Sequence, residues 1–519
     1  MCRTLNHPGC AHIIPDRRLL HPRSDTALES RGLAGPGLSA TMRFRMNPAP
    51  FKSRFAPSPT GLLHLGNVRT ALFNYLAAQR TQGVFLLRIE DTDAMRGHDK
   101  YAVALEQDLR WLGLEWQEGP GRGGTQAPYF QSQRGAIYAR YFDQLETGGS
   151  AYPCFCSEHE LEIARKTAIA AGRPPRYAGR CFRLKPEEIA ARRAEGRPAT
   201  LRFHVADGQS VEFDDKVRGR QMFATSDIGD FIIRRSDGTP AFFFCNAIDD
   251  ALMGVSLVLR GEDHLTNTPR QILLLKTLGL PVPEYAHIAL VVGSDGAPLS
   301  KRTGSRSVQE LREQGFLPLA VNNYLARLGH TYESNAFMGL TGLAAAFDTA
   351  RLHKAPARFD EAQLLHWQRE AVRAADVATL WAWMAETVVA LVPDAERTAF
   401  VEAVRGNVVF PPDARHWAQA IYAETLGMNH AAHEAAQSAG EEFFDITRRA
   451  LEKHGTDFKA LSQMVKQDTG LSGKTLFQPL RAALTGELDG PEMAKLLPLI
   501  GLDRAHRRIE RILEEMQGA

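Results

Sequence analysis

The sequence predicts an α/β fold built on a parallel sheet, followed by a long all-helical region. Three observations carry this. Between residues 51 and 112, apolar positions alternate between strand-length runs and helical spacing. The same alternation returns near Phe242 after a stretch that lacks it. Beyond about residue 300 the periodic segments are almost all helical.

Each element follows in order. Arg54-Phe55-Ala56 reads as the end of a short strand, broken by the turn cluster Pro57-Ser58-Pro59-Thr60-Gly61. Leu65, Val68, Leu72, Tyr75 and Leu76 share one helical face, and Gly83 closes that helix. Val84 to Ile89 is a strand-length apolar run ending in Glu90-Asp91-Thr92-Asp93. Ala102, Leu105, Leu109 and Leu112 mark a second amphipathic helix. This order implies parallel strands joined by right-handed crossovers, with ligands beyond the carboxyl ends of the strands. The proline-rich turn and Glu90 both fall there. Residues 131–241 break the rhythm and read as an inserted domain. Ser256 to Arg260 and His287 to Val292 read as strands, with a helix over Thr268 to Leu278 between them. Helical signals then cover Leu311 to Leu328, Val377 to Leu391 and Arg504 to Met516.

The length of 519 residues suits two to four domains. No apolar run approaches the ~18 residues of a membrane span, so no membrane partner and a cytoplasmic location are expected. A net charge of +2 excludes a protein that coats nucleic acid by global charge. Any nucleic-acid contact would need local patches such as Arg192-Arg193, Arg234-Arg235 or Arg507-Arg508, each of which alone reads first as solvated surface. Six cysteines are too few for a disulfide scaffold, but Cys154, Cys156 and Cys181 are close enough in sequence to suggest metal. Residues 1–49 lack the apolar core of a secretory signal and read as a disordered extension or a mis-called start, with Met42 and Met46 just ahead of the first regular segment.

Three segments carry chemistry. In Pro59-Thr60-Gly61-Leu62-Leu63-His64-Leu65-Gly66-Asn67, a turn feeds a helix N-terminus, whose free N–H groups suit phosphate, and Gly66 permits close approach. In Pro298-Leu299-Ser300-Lys301-Arg302-Thr303-Gly304, two adjacent cations on a loop can follow the charge of departing phosphates. Leu259-Arg260-Gly261-Glu262-Asp263-His264 sets polar groups at a strand end. Each alone is a weak signal, because a capping histidine, a basic surface loop and a polar turn look the same.

Together and in this order they resemble the class I aminoacyl-tRNA synthetases, and in detail the glutamyl branch. Arg54 to Gly61, Arg88 to Asp93, Tyr129 to Arg134, Arg260 to Arg270, Leu299 to Gly304 and Gly473 to Gly486 carry the likeness, from about residue 50 to the C-terminus. The resemblance implies a Rossmann-like catalytic domain over 50–130 and 242–300, interrupted at 131–241 by an acceptor-end-binding domain. A signature loop and stem-contact domain would cover 301–375, and an α-helical anticodon-binding domain 376–519. It further implies ATP-dependent activation of L-glutamate and transfer to tRNA(Glu), with tRNA(Gln) an additional or preferred acceptor in some members, by a monomer using Mg²⁺. His64, Gly66, Lys301 and Arg302 are matched to ATP binding, His64 and Lys301 being catalytic. Arg54, Ala56, Ser58, Glu90, Phe242 and Arg260 are matched to the glutamate pocket. Phe242 stands where the family often has Tyr, which removes a hydroxyl donor.

Some members of this branch hold Zn²⁺ with the same cysteine spacing and a His two residues beyond the last Cys, where this chain has Arg183. Tyr177 resembles a Tyr-x3-Cys variant of the site, giving Cys154, Cys156, Tyr177 and Cys181 as the ligand set, with His159 another fourth ligand and reduced metal-free thiols the alternative. Competing identities are the truncated paralogue that glutamylates a modified tRNA base, a nucleotidyltransferase of the same fold and a non-enzymatic tRNA-binding relative. The helical stretch from about 380 onward argues against the first two. His64 and Lys301 argue against the third.

Overall fold

The computed structural model describes residues 50–92, 98–172, 176–299 and 306–517, so the extension expected at 1–49 lies outside the described residues. In chain order the strands are β1 (Lys52–Phe55), β2 (Val84–Leu87), β3 (Ala151–Cys154), β4 (Thr200–Phe203), β5 (Ser210–Asp215), β6 (Gly219–Ala224), β7 (Phe231–Arg234), β8 (Leu257–Gly261), β9 (Glu284–Ile288), β10 (Val291–Val292) and β11 (Ala357–Arg358). Among the described residues, one sheet runs β2-β1-β8-β9-β5-β6. β1 is parallel to both β2 and β8, β8 to β9 and β9 to β5, while β6 returns antiparallel to β5. The chain thus leaves β1 toward β2 on one side and later adds β8 on the other. Such a switch point opens a crevice at the strands' carboxyl ends.

Successive strand residues point to opposite faces, and both faces are buried, as a parallel sheet requires. Phe85, Leu87, Leu257 and Leu259 pack with Leu65, Leu72 and Leu76 of the helix Leu65–Arg80. Leu86 and Val258 pack on the other side with Tyr138, Phe142 and Phe244. Residues 131–241 build the antiparallel sheet β3-β4-β7, and they also supply the β5–β6 hairpin to the edge of the main sheet. The sequence pattern did not suggest that second contribution.

Two expected elements differ. The strand expected over His287 to Val292 lies earlier, as β9, and Val291-Val292 pairs instead with Ala357-Arg358. The apolar run is continuous, so periodicity could not place the break. The break comes where the Ala289 carbonyl accepts from Arg69 and the Leu290 N–H donates to Glu262 at 3.1 Å, so both groups find side-chain partners. The helix expected over Leu311 to Leu328 is two, Val308–Glu313 and Pro318–Arg327. Gly315 with φ +87° and Pro318 at the start of the second helix separate them.

Helices from Glu361 to Gln517 enclose their own core around Phe400, Phe444, Leu480 and Ile509. Within it Arg508 is buried and donates to the carbonyls of Ala423 at 2.9 Å and Ile421 at 3.2 Å. Of the Arg507-Arg508 pair, Arg508 therefore ties helix ends together and does not face a partner. No helix among the described residues is long and apolar enough to cross a membrane.

Gly83 links the first helix to β2, where Val84 N–H donates to the Phe51 carbonyl at 2.8 Å. A Cβ at residue 83 would lie 2.2 Å from that same oxygen. Gly83→Ala should therefore destabilise by about 1–3 kcal/mol through forced backbone shift, read as a lower midpoint in urea unfolding.

Candidate active site

A cleft of about 510 Å³ opens at the switch point. Its walls include Arg54, Ala56, Ser58, His64, Gly66, Glu90, Phe242 and Arg260, so eight of the expected site residues share one space. Arg54 reaches it from the end of β1 and Arg260 from the end of β8. His64 is the N-cap residue of the helix Leu65–Arg80, which has no acidic side chain in its first turn. That helix end therefore keeps its positive character. A Cβ at Gly66 would lie 3.4 Å from His64 Nδ1, so the glycine leaves little room to spare beside the ring.

Lys301 and Arg302 lie outside the described residues. Their flanks are informative. Pro298 and Leu299 line the cleft, and Ser307 forms a bridge with His64 while Val308 N–H donates to the Leu63 carbonyl at 2.9 Å.

Below the cleft floor is a buried charged network. Arg54 Nε–H donates to Asp250 at 3.1 Å, and Arg88 donates to Asp250 at 2.8 Å and to Glu90 at 3.1 Å. Asn246 donates to Glu90 at 2.5 Å, Gln271 donates to Asn246 at 2.9 Å and Arg260 donates to Gln271 at 2.6 Å. The two arginines expected to hold glutamate are thus joined through side chains from three separate segments. Burial pushes Asp250 upward, but Arg54 and Arg88 more than offset it and hold the carboxyl below its ordinary value. Glu90 goes the other way: burial raises it in spite of Arg88. Arg260 is lowered to about 10 by burial, with Arg54 adding repulsion. Its side-chain partners are the neutral groups Gln271, Thr268 and His287, and its Nη1 is buried without a hydrogen bond. His264 stacks on Phe242 with ring centres 5.2 Å apart and is lowered to about 4 by burial and Arg260, so it is neutral at pH 7.

Reading the sequence missed Arg88, Asn246, Asp250, Gln271 and His287. One signal was present. Phe242–Leu252 is an apolar helix that carries Asn246, Asp249 and Asp250, all buried, and buried carboxylates on such a face require cationic partners.

Within the insertion, Cys154, Cys156 and Cys181 bring their sulfurs within 4.8 Å of one another. The Tyr177 hydroxyl lies 3.5 Å from Cys154 Sγ and 3.6 Å from Cys156 Sγ, and accepts from Cys181 N–H at 2.8 Å. His159 is exposed on the next helix and outside the cluster. Burial opposes ionisation of Cys154, yet hydrogen bonds from Tyr177 and the Cys156 backbone and the charge of Arg202 bring it down to about 7.

Residues 50–366 match the catalytic domain of tRNA synthetases class I (E and Q), and residues 373–513 match an anticodon binding domain. A glutamate–tRNA ligase of Nitrosococcus oceani is 58% identical over 470 residues, covering 91% of this chain and all of that protein. The chain belongs to the class I glutamyl-tRNA synthetases. Another member of this family, from Halorhodospira halophila, is 55% identical over 91% of the chain and 99% of its own length. The fold agrees with a glutamate tRNA ligase of Elizabethkingia meningosepticum solved in complex with its amino acid, at a TM-score of 0.80 and 28% identity over 90% of this chain and all of that one. A synthetase of Elizabethkingia anophelis gives a TM-score of 0.78 at the same identity and coverage.

Asp250 bridges two buried guanidinium groups, so its removal leaves both without their shared anion. Asp250→Ala should cost about 3–5 kcal/mol at pH 7, measured by urea unfolding. Because the folded-state pKa lies below the ordinary 3.8, the carboxylate's contribution is complete above that value and is lost as pH falls through the folded value. The gap between wild type and variant should therefore narrow in acid.

Proposed function

We propose that this synthetase activates L-glutamate with ATP and transfers the glutamyl group to the 3′ end of tRNA(Glu). The observation that carries the substrate choice is Arg260, a residue of the cleft wall whose guanidinium is buried among neutral partners with its Nη1 unsatisfied. A guanidinium fork suits a carboxylate, and a carboxylate there supplies the missing charge and acceptor. Arg54 provides the second cation. Glu90, beside Asn246, takes the α-ammonium. Ala56 and Ser58 line the pocket, and Phe242 closes it with an apolar ring.

In the first step an oxygen of the α-carboxylate bonds to the α-phosphorus of ATP, and pyrophosphate leaves with the electrons of the broken P–O bond. His64 donates to the phosphates, and Gly66 lets them approach the helix N-terminus. Lys301 and Arg302 neutralise charge as pyrophosphate departs. Mg²⁺ accompanies ATP and is held mainly by its phosphates. In the second step the terminal 2′-hydroxyl oxygen of tRNA bonds to the activated carbonyl carbon, the acyl C–O bond to AMP breaks, and the hydroxyl proton passes to the departing AMP phosphate. No protein nucleophile is required; orientation and charge do the work.

The regions divide the tRNA in this proposal. Residues 131–241 receive the acceptor end, 301–375 the stem and 376–519 the anticodon, on a cytoplasmic monomer. The thiol set fits a structural Zn²⁺: Cys154, Cys156 and Cys181 would supply thiolates and the Tyr177 hydroxyl the fourth ligand, bracing the insertion.

Charging assays with glutamate, ATP and purified tRNA(Glu) or tRNA(Gln) test this directly. Esterification of glutamate to tRNA(Glu) is expected; failure with both tRNAs rejects the proposal, and charging of tRNA(Gln) as well identifies the broader acceptor range. Lys301→Ala should lower kcat by roughly a hundredfold while leaving the glutamate KM near wild type, since its role is confined to the transition state. Metal analysis of the purified protein should find about one zinc per chain, lost in Cys181→Ser together with thermal stability.

A further inference from the structure

Two residues outside the cleft wall adjoin Arg260 in series: His287 contacts it directly and Asp215 contacts His287. We propose that Asp215 and His287 form a positioning pair that fixes the orientation of Arg260, so that the inserted hairpin sets the affinity for glutamate; this rests on Arg260 being a carboxylate-binding residue. Asp215 ends β5, in the inserted hairpin, and His287 lies in β9. Both are buried, His287 completely.

The geometry defines one protonation pattern. Arg260 Nε–H points at His287 Nε2 across 3.2 Å. A guanidinium can only donate, so that imidazole nitrogen must be an acceptor. The ring proton then sits on Nδ1, which donates to Asp215 Oδ2 at 2.6 Å. Thr268 Oγ1, 3.0 Å from the same Nε2, accepts from Arg260 Nη2 at 2.8 Å, and Gln271 accepts at 2.6 Å. These contacts hold Nε and Nη2 of the guanidinium and leave Nη1 as its nitrogen without a hydrogen bond. Burial, with Arg260 nearby, keeps His287 below its ordinary value, in keeping with a neutral ring.

Asp215 is itself locked. Its Oδ1 accepts backbone N–H groups of Val217 at 2.9 Å and Arg218 at 2.7 Å, and His287 N–H donates to Oδ2 at 3.1 Å. This makes Asp215→Asn a specific probe. The two hairpin N–H groups require an oxygen at the Oδ1 position, so the amide NH₂ must take the place of Oδ2. It would then donate to His287 Nδ1 and drive the ring proton to Nε2, against the Arg260 N–H. The Ser-His-Asp triad shows how strongly an Asp→Asn change can act through the histidine tautomer alone.

The test is steady-state charging with saturating ATP and tRNA for Asp215→Asn, His287→Gln and His287→Asn. Asp215→Asn should raise the glutamate KM about tenfold or more, with the ATP KM little changed. His287→Gln retains an acceptor near the Nε2 position but loses the donor to Asp215; His287→Asn does the reverse. If orientation of Arg260 is the role, His287→Asn raises the glutamate KM well above His287→Gln. A pair that merely satisfied the buried Asp215 would give the opposite order, and that order overturns the proposal. So does a rise of ATP and glutamate KM in parallel. Should Asp215→Asn fail to fold, the two His287 variants still decide. Failure of wild type to charge glutamate at all would reject the underlying function instead, and is distinguishable because it needs no variant.

Discussion

The site depends on the burial of Arg260 among neutral partners. A guanidinium removed from water without an anion is held at a cost, and the cost is evident in its lowered affinity for its own proton. The surrounding structure is arranged so that this cation cannot relax toward a protein carboxylate. Gln271, Thr268 and His287 occupy its donors, while Asp250 and Glu90 are engaged by Arg54, Arg88 and Asn246. Under the proposed reading, a carboxylate arriving at Arg260 would meet a preorganised counter-charge and displace no ion pair of that residue.

That arrangement draws on distant parts of the chain. β1 supplies Arg54, the end of β2 leads into Arg88 and Glu90, the helix after the insertion supplies Asn246 and Asp250, and β8 supplies Arg260. The β5–β6 hairpin adds Asp215 from within the insertion. The parallel order and the switch point between β1 and its two neighbours explain why these ends converge.

Much of this was legible in the sequence, for physical reasons that can be named. The helix Leu65–Arg80 and the helix Thr268–Leu278 were readable because each buries one stripe at helical spacing. Arg54, His64 and Arg260 were readable because they sit in short polar segments at strand and helix ends. The supporting residues were not, because Asn246, Gln271 and His287 lie inside apolar elements, where a polar side chain gives no hint of its partner. The break between β9 and β10 was hidden because the run from Ile288 to Val292 is apolar throughout, and side-chain contacts from Arg69 and Glu262 decide where the ladder stops. The hairpin's place in the main sheet is a long-range pairing that local pattern does not encode.

The bridge between His64 and Ser307 has a temporal side. A ribosome releases the chain from its N-terminus, so the first of these residues is exposed long before the second exists. Contacts of such wide separation carry the loop-closure cost that slows folding. The helix that begins at Leu65 can form early on the growing chain, but its N-terminus stays open on one side until well over half of the polypeptide has emerged. A nascent fragment ending anywhere inside the insertion lacks that wall, so commitment of nucleotide to this cleft waits until the chain beyond Ser307 has emerged.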